Sequence, residues 1–199
     1  VTIMTLEAIL HDLEDENPIR DPELYYVSIF GTPSRDNTWA WRFEGHHVSV
    51  NFTLVEGRLF SVTPSFFGTN PAQVQAGPFK GLEVLAAEQN LARKLVKSLS
   101  DEQRRLAIIA EKAPRDIITS QDRRVDKGVF FPPQGIAFDQ LSSDQQGMLL
   151  ELVNEYAAKY RSPILEQINE RTPIADGKKM YFAWAGSVEP GQGHYYRVQ

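Results

Sequence analysis

Residues 39–54, WAWRFEGHHVSVNFTL, place apolar side chains at Trp39, Trp41 and Phe43, and then at Val48, Val50, Phe52 and Leu54. Each group alternates with period two, the pattern of a strand with one buried face. The first group sits on odd positions and the second on even ones. A straight strand cannot change parity, because a one-residue slip turns every side chain to the opposite face. The chain must therefore turn or bulge between 43 and 48, where Glu44-Gly45-His46-His47 stands. A two-residue Gly45-His46 loop suits a type II′ hairpin, and a G1-type bulge in one bent strand is the other solution. A second hairpin follows in VEGRLFSV, turning on Glu56-Gly57.

The same reasoning orders the rest of the chain. LYYVSIF (24–30) is rich in aromatic and β-branched residues and ends at a Gly31-Thr32-Pro33-Ser34 turn. Leu6, Ile9, Leu10 and Leu13 form a helical stripe over 5–16, with Thr5 as N-cap, His11 off the stripe facing solvent, and Pro18 and Pro22 beyond the end. Residues 70–77 read as a short helix opened by Asn70-Pro71 and closed by Gly77. Residues 82–98 carry Val84, Leu85, Leu91, Leu95 and Val96 on one face. Capping-box patterns at Ser100/Gln103 and Ser143/Gln146 start helices over 101–110 and 143–160. Residues 113–140 form a long irregular stretch of the kind used for lids, binding loops or disordered connections. KMYFAWAG (179–186) and HYYRVQ (194–199) are strands around a Gly/Pro loop, with Met180, Phe182 and Trp184 on one face.

The expected fold is α+β, one domain over 1–199: an antiparallel, hairpin-built sheet covered by helices on one face. Its strands are 24–30, 39–44, 47–54 and 57–63, joined by 179–185 and 194–199, so both Trp-bearing groups share one sheet. With 42% apolar and 24% charged residues the chain has an ordinary soluble, globular composition. A net charge of −5 gives no electrostatic footprint for nucleic acid or an anionic membrane, and Arg104-Arg105 and Arg123-Arg124 are too short to alter that. No apolar run approaches the roughly 20 residues of a membrane span. The absence of cysteine excludes disulfides, thiolate metal sites and cysteine nucleophiles. G-x-S-x-G, P-loop and G-x-G-x-x-G spacings are missing too, so a serine-hydrolase elbow and nucleotide loops have no anchor.

Chemistry therefore rests on a chain with four histidines, two of them adjacent. Glu44, His46, His47 and His194 form a candidate catalytic set. His46, His47 and His194 are the candidate ligands of a divalent metal such as zinc, or of iron with open positions. Successive strand residues point to opposite faces, so His46 and His47 reach one point only if a turn or bulge redirects one. In strand phase, His46 would join Val48 on the apolar side and His47 would join Ser49 and Asn51. The bland reading is that His47 lies exposed on the polar face, His46 hydrogen-bonds at the core edge, and His194 packs among Tyr195 and Tyr196. Trp39, Trp41 and Phe43 could stack on a flat ligand, or pack as core. Arg42 and Arg197 could bind a carboxylate or phosphate, or form ordinary ion pairs. Two functions follow: a metal-dependent enzyme, such as a hydrolase, with 113–140 as the rim of its cleft; or a non-catalytic binding module whose aromatic-rich sheet holds a small molecule or a protein.

Five stretches, WRFEGHHVSVNF (41–52), TPSFFGTNPAQV (63–74), GLEVLAAEQNLAR (81–93), APRDI (113–117) and FAWAGSVEPGQGHYYRVQ (182–199), run in order along the chain. Together they resemble a bacterial family of domains of unknown function, the DUF 3500 group. The resemblance implies longer proteins that often begin with a secretory leader, hence a secreted or periplasmic location. It also implies a strand with further histidines after the equivalent of Gln199, so this chain, opening on Val1, is expected to be incomplete at both ends and any site using those histidines to be incomplete in it.

Overall fold

The structure is a computed structural model that describes residues 2–117, 132–171 and 179–199. The fold is α+β. In chain order its elements are α1 (Thr2–Leu13), β1 (Tyr26–Phe30), β2 (Trp39–Glu44), β3 (Val48–Val55), β4 (Arg58–Ser61), β5 (Ser65–Phe67), α2 (Ala86–Ser98) and α3 (Asp101–Ala107). Then come β6 (Ile108–Ala110), β7 (Ile136–Ala137), α4 (Ser143–Ala157), α5 (Ser162–Arg171), β8 (Tyr181–Gly186) and β9 (His194–Val198). The stretch expected to be one domain is divided by its contacts into two compact units, Val1–Ala86 with Tyr160–Thr172, and Ala87–Lys159 with Pro173–Gln199. No helix among the described residues is long and apolar enough to cross a membrane.

The first unit is built on an antiparallel sheet in the order β1-β2-β3-β4, with β5 taking the stretch of β3 that β4 leaves. The parity break is a hairpin, not a bulge. Glu44 pairs with Ser49, and the Gly45 N–H donates to the Val48 carbonyl at 2.9 Å, which leaves His46-His47 as the two-residue loop. The turn therefore lies one residue later than expected. It is not type II′, because no positive φ occurs at Gly45, His46 or His47. Gly45 serves close approach instead of unusual φ: a Cβ there would collide with the Tyr25 ring. The Glu56-Gly57 turn does use left-handed geometry, φ 50° and 73°, with Val55 opposite Arg58, a type I′ hairpin. Ile9 and Leu10 of α1 pack with Val74, Leu82 and Val84 in a small core.

The expected helix over 70–77 is absent. The Val74 N–H donates to Leu82 O and the Gly81 N–H donates to Val74 O, so this backbone is satisfied across a loop, not four residues back. Helix α5, for which no element had been expected, closes the unit. The Gln167 side-chain carbonyl accepts from the Leu59 N–H at 3.0 Å.

The second unit corrects the single-sheet expectation. β8 and β9 do not extend the first sheet; they form another, in which β8 pairs antiparallel with β9 along one edge. The other edge of β8 is shared between β7, antiparallel, and β6, parallel. β6 is made from the last turn of the helix expected over 101–110. α3 stops at Ala107, and β-branched Ile108 takes extended geometry at φ −86° and ψ 102°. The capping box of α3 is the expected Ser100/Gln103, whereas that of α4 is Ser142/Gln145, one residue earlier than read. Gln145 is the better partner because its amide also donates to Ser98 O at 2.9 Å. Leu95 and Val96, Leu149 and Leu152, Ile136, Phe182 and Trp184 form the core of this unit.

Candidate functional site

The EGHH segment sits over a buried polar cluster assembled from four separate elements. α1 contributes Glu7, wholly inaccessible to solvent, and Glu14 follows its end. A single 3-10 turn, Pro18–Arg20, capped by the Asn17 side chain, delivers Arg20. Tyr25 enters just before β1, and the hairpin loop supplies His47. Arg20 and His47 are each only 6% exposed.

Glu7 Oε1 accepts a hydrogen bond from the Tyr25 hydroxyl at 3.0 Å and lies 3.0 Å from His47 Nδ1. Arg20 Nη1 is 3.3 Å from His47 Nε2 and 4.0 Å from Glu7 Oε2. The guanidinium also donates from Nε and Nη2 to the two Glu14 oxygens, at 3.1 and 3.0 Å. An arginine can only donate, so His47 Nε2 is the acceptor and Nδ1 carries the proton. The Nδ1 approach to Glu7 is an electrostatic contact, not an aligned hydrogen bond, and Glu7 Oε2 receives no hydrogen bond at all. Burial, then the neighbouring His46 and Arg20 charges, push the His47 pKa down to about 3, against the opposing pull of Glu14. His47 is therefore a neutral imidazole at pH 7. Burial and the nearby Glu7 raise the Tyr25 hydroxyl, and the Arg20 hydrogen bond is the main influence lowering Glu14.

The two histidines exchange the places expected of them. His47 is buried and His46 is exposed, its ring edge-on to His47 at 4.4 Å. The expectation continued strand phase into residues that belong to the turn, where phase no longer applies. Glu44 lies on β2 and makes a 3.0 Å ion pair with Arg42, its neighbour on the same face; the Arg42 guanidinium in turn lies over Phe30 at 5.5 Å. Trp41 stacks on Phe52 at 4.1 Å, and Tyr160 meets Phe52 edge-on. Trp39, Trp41 and Phe43 are all half-buried.

His194 belongs to the second unit. Its ring lies parallel to Trp184 at 5.1 Å and to Tyr196 at 6.4 Å. The Arg93 guanidinium sits 5.6 Å from the centroid of the same Trp184 ring. His194 Nδ1 lies 3.5 Å from Arg93 Nη2 and 3.2 Å from Gln192 O; accepting from the first and donating to the second require opposite tautomers. Burial lowers the His194 pKa, the Gln192 carbonyl opposes that, and Arg93 reinforces it. Of the four candidate residues, His46 and His47 are in ring contact. Among the described residues, no group of three or more His, Asp or Glu side chains is placed to hold a metal ion. Half of the rim expected over 113–140, residues 118–131, lies outside the described residues.

Glu7, Arg20 and Tyr25 escaped the sequence reading, although one signal was there. Glu7, Leu10 and Glu14 recur at helical spacing, which puts a carboxylate on a face that the apolar stripe buries. The most exposed apolar feature is elsewhere in the same unit. β1, YVSIF, exposes Tyr26, Val27, Ile29 and Phe30 on both of its faces and, among the described residues, pairs only with β2, at the end of the sheet. Two clefts lie in this unit: one of about 100 Å³ between Leu59, Thr63, Gln167 and Ile168, and another of about 300 Å³, open and mostly polar, beside Arg58 and Glu170.

Searches of curated proteins and of solved structures return no match. The model of one family, described as "Protein of unknown function (DUF3500)", matches residues 1–199, and the chain belongs to that family.

Proposed function

We propose that the chain is a non-catalytic binding module that holds a protein partner in extended conformation along β1. The observation that carries this reading is the edge strand itself, with four large exposed apolar side chains and an outer hydrogen-bonding edge that has no strand partner among the described residues. Sheet edges of this kind bind extended segments by adding a strand, main-chain bonds giving affinity and alternate side chains giving selectivity. Natural proteins usually protect such an edge with charge, proline or a covering element, and β1 carries neither a charge nor a proline. The two clefts described in the first unit, one of about 100 Å³ and one of about 300 Å³ that is mostly polar, suit a small molecule less well than the apolar strand suits a protein, since ligand pockets are typically about 300–1,000 Å³ and mainly apolar. An enzymatic reading has less support. His47 faces Arg20 and Glu7 with both nitrogens in a water-excluded cluster, and His194 is stacked on Trp184.

Labelled extended peptides of alternating apolar and polar residues provide the test, read by fluorescence anisotropy with hydrogen exchange at Val27 and Ile29. Binding that slows exchange at those two amides and weakens at least about tenfold in the Ile29→Lys variant is the expected result. Peptides that bind without protecting β1, or that bind Ile29→Lys equally well, would overturn it.

A further inference from the structure

Resting on that reading of β1, we propose that its occupant is a second copy of this chain, paired β1 to β1 in antiparallel fashion about a two-fold axis at Ser28. The argument begins with hydrogen-bond phase. In an antiparallel ladder, opposed residues alternate between bonded and non-bonded pairs. The Gly45 N–H donates to Val48 O, so the pairs Phe43/Val50, Trp41/Phe52 and Trp39/Leu54 are also bonded, and their main-chain groups face β3. Those of Ala40, Arg42 and Glu44 must then face β1, where they meet Phe30, Ser28 and Tyr26. The N–H and C=O of Val27 and Ile29 are left pointing away from the sheet.

A two-fold axis requires these outward groups to meet outward groups. Centred on Ser28, the register sets Val27 opposite Ile29 of the second copy and Ile29 opposite its Val27. All four outward main-chain groups of each copy are then bonded. An axis centred on Val27 or Ile29 would bond only one of these residues within β1. The Ser28 register also sets Tyr26 opposite Phe30 of the other copy on one face, an aromatic cross-strand pair, and joins Val27 and Ile29 of both copies into one apolar stripe on the other.

Charge agrees with this arrangement. On a two-fold axis every charge near the axis meets its own copy, and residues 24–34 contain none. The flanks differ in sign, with Asp21 and Glu23 before the strand and Arg35, beside Asp36, after it. The Ser28 register carries Asp21 toward Arg35 of the second copy, whereas parallel pairing would bring acidic flank to acidic flank. A five-residue strand buries less than the roughly 1,200 Å² of a standard interface, so the dimer is a weak one, with a dissociation constant on the order of 10–100 μM.

Sedimentation velocity of the 199-residue chain from about 1 to 300 μM tests this directly. The expected result is a rise from monomer to dimer, with exchange protection at Val27 and Ile29 in the dimer. Ser28→Lys and Ser28→Asp, each checked for native folding by circular dichroism, should each stay monomeric, because the new charge meets itself at the axis. An equimolar mixture of the two should dimerise again. A native chain that stays monomeric at the highest concentration overturns self-pairing; so do single variants that dimerise like the native chain, or a mixture that stays monomeric. If the chain is monomeric yet still binds extended peptides at β1, self-pairing falls while the binding-module reading stands. If neither occurs, both fall.

Discussion

β1, YVSIF, and β8, YFAWAG, are written in the same aromatic, period-two idiom, and the molecule treats them in opposite ways. Trp184 of β8 is 0% exposed, with β9 along one edge and β6 and β7 along the other. Val27 and Ile29 of β1 are 64% and 58% exposed, with β2 on one edge and nothing described on the other. Apolar composition alone does not decide burial. What decides it is whether other segments supply partners for both edges and both faces. The difference separates a strand paired on both edges from one whose outer edge has no strand partner among the described residues.

The sharpest way to break that comparison is to truncate the buried member. Trp184→Ala removes the ring that Arg93, His194 and Tyr196 all pack on, and leaves a large cavity among α2, α4 and β8. A loss of about 3–5 kcal/mol is expected, enough to unfold the second unit in a denaturant titration. A loss below about 1 kcal/mol would mean that β8 is not the strand organising this core.

Within the first unit the buried cluster should come next. Glu7→Gln removes the carboxylate that faces Tyr25, His47 and Arg20, and leaves the guanidinium with the Glu14 carboxylate, His47 Nε2 and Asn70 O. Disrupting a buried ionic group on one side is typically destabilising by about 3–5 kcal/mol. The retained amide oxygen can still accept from Tyr25, so the lower end is expected. Chemical denaturation measures this, and a neutral result would show that the Glu7 charge contributes nothing to the fold.

The same cluster shows why part of the molecule was legible from sequence and part was not. The α+β class, the two hairpins, the Ser100 cap and the helices expected over 82–98 and 143–160 follow from local pattern, which a window of eighteen or fewer residues contains, although the first of these helices begins only at Ala86, a turn later than expected. The one-sheet expectation failed because sheet membership depends on remote partners. β6 and β7, three and two residues long, have no periodicity to read. The exchange of His46 and His47 failed at the scale of one residue. Strand phase holds only inside a strand, and the loop begins at His46 once Gly45 must pass close under Tyr25. Arg20 could not be foreseen beside His47, since 27 residues separate them and no periodicity links the two.

Acid should act on the first unit through His47. Its folded pKa of about 3 lies below the usual value of 6.5, so the unfolded chain binds this proton more readily. Stability from this group is fully present above pH 6.5 and is lost as pH falls toward 3, by at most about 1.4 kcal/mol per pH unit. His47→Gln should flatten the pH dependence across that window in a urea-unfolding series. An unchanged slope in the variant would assign acid sensitivity to other groups.

The smallest effect on stability belongs to the exposed strand, and its smallness is the point. Ile29 has its side chain in solvent and its N–H and C=O turned away from β2, so Ile29→Lys removes little that the isolated chain uses. Surface changes of this kind usually stay within about 0.5 kcal/mol, and the lysine stem retains apolar contact along the strand while its ammonium reaches water. If β1 is a binding edge, this variant should melt with the native chain and yet lose peptide binding, because a charge introduced opposite an apolar partner strand must be desolvated on pairing. A variant that instead unfolds in proportion to its lost binding would show that the edge is already covered within the chain. β1 would then be a counterpart of β8, not its opposite.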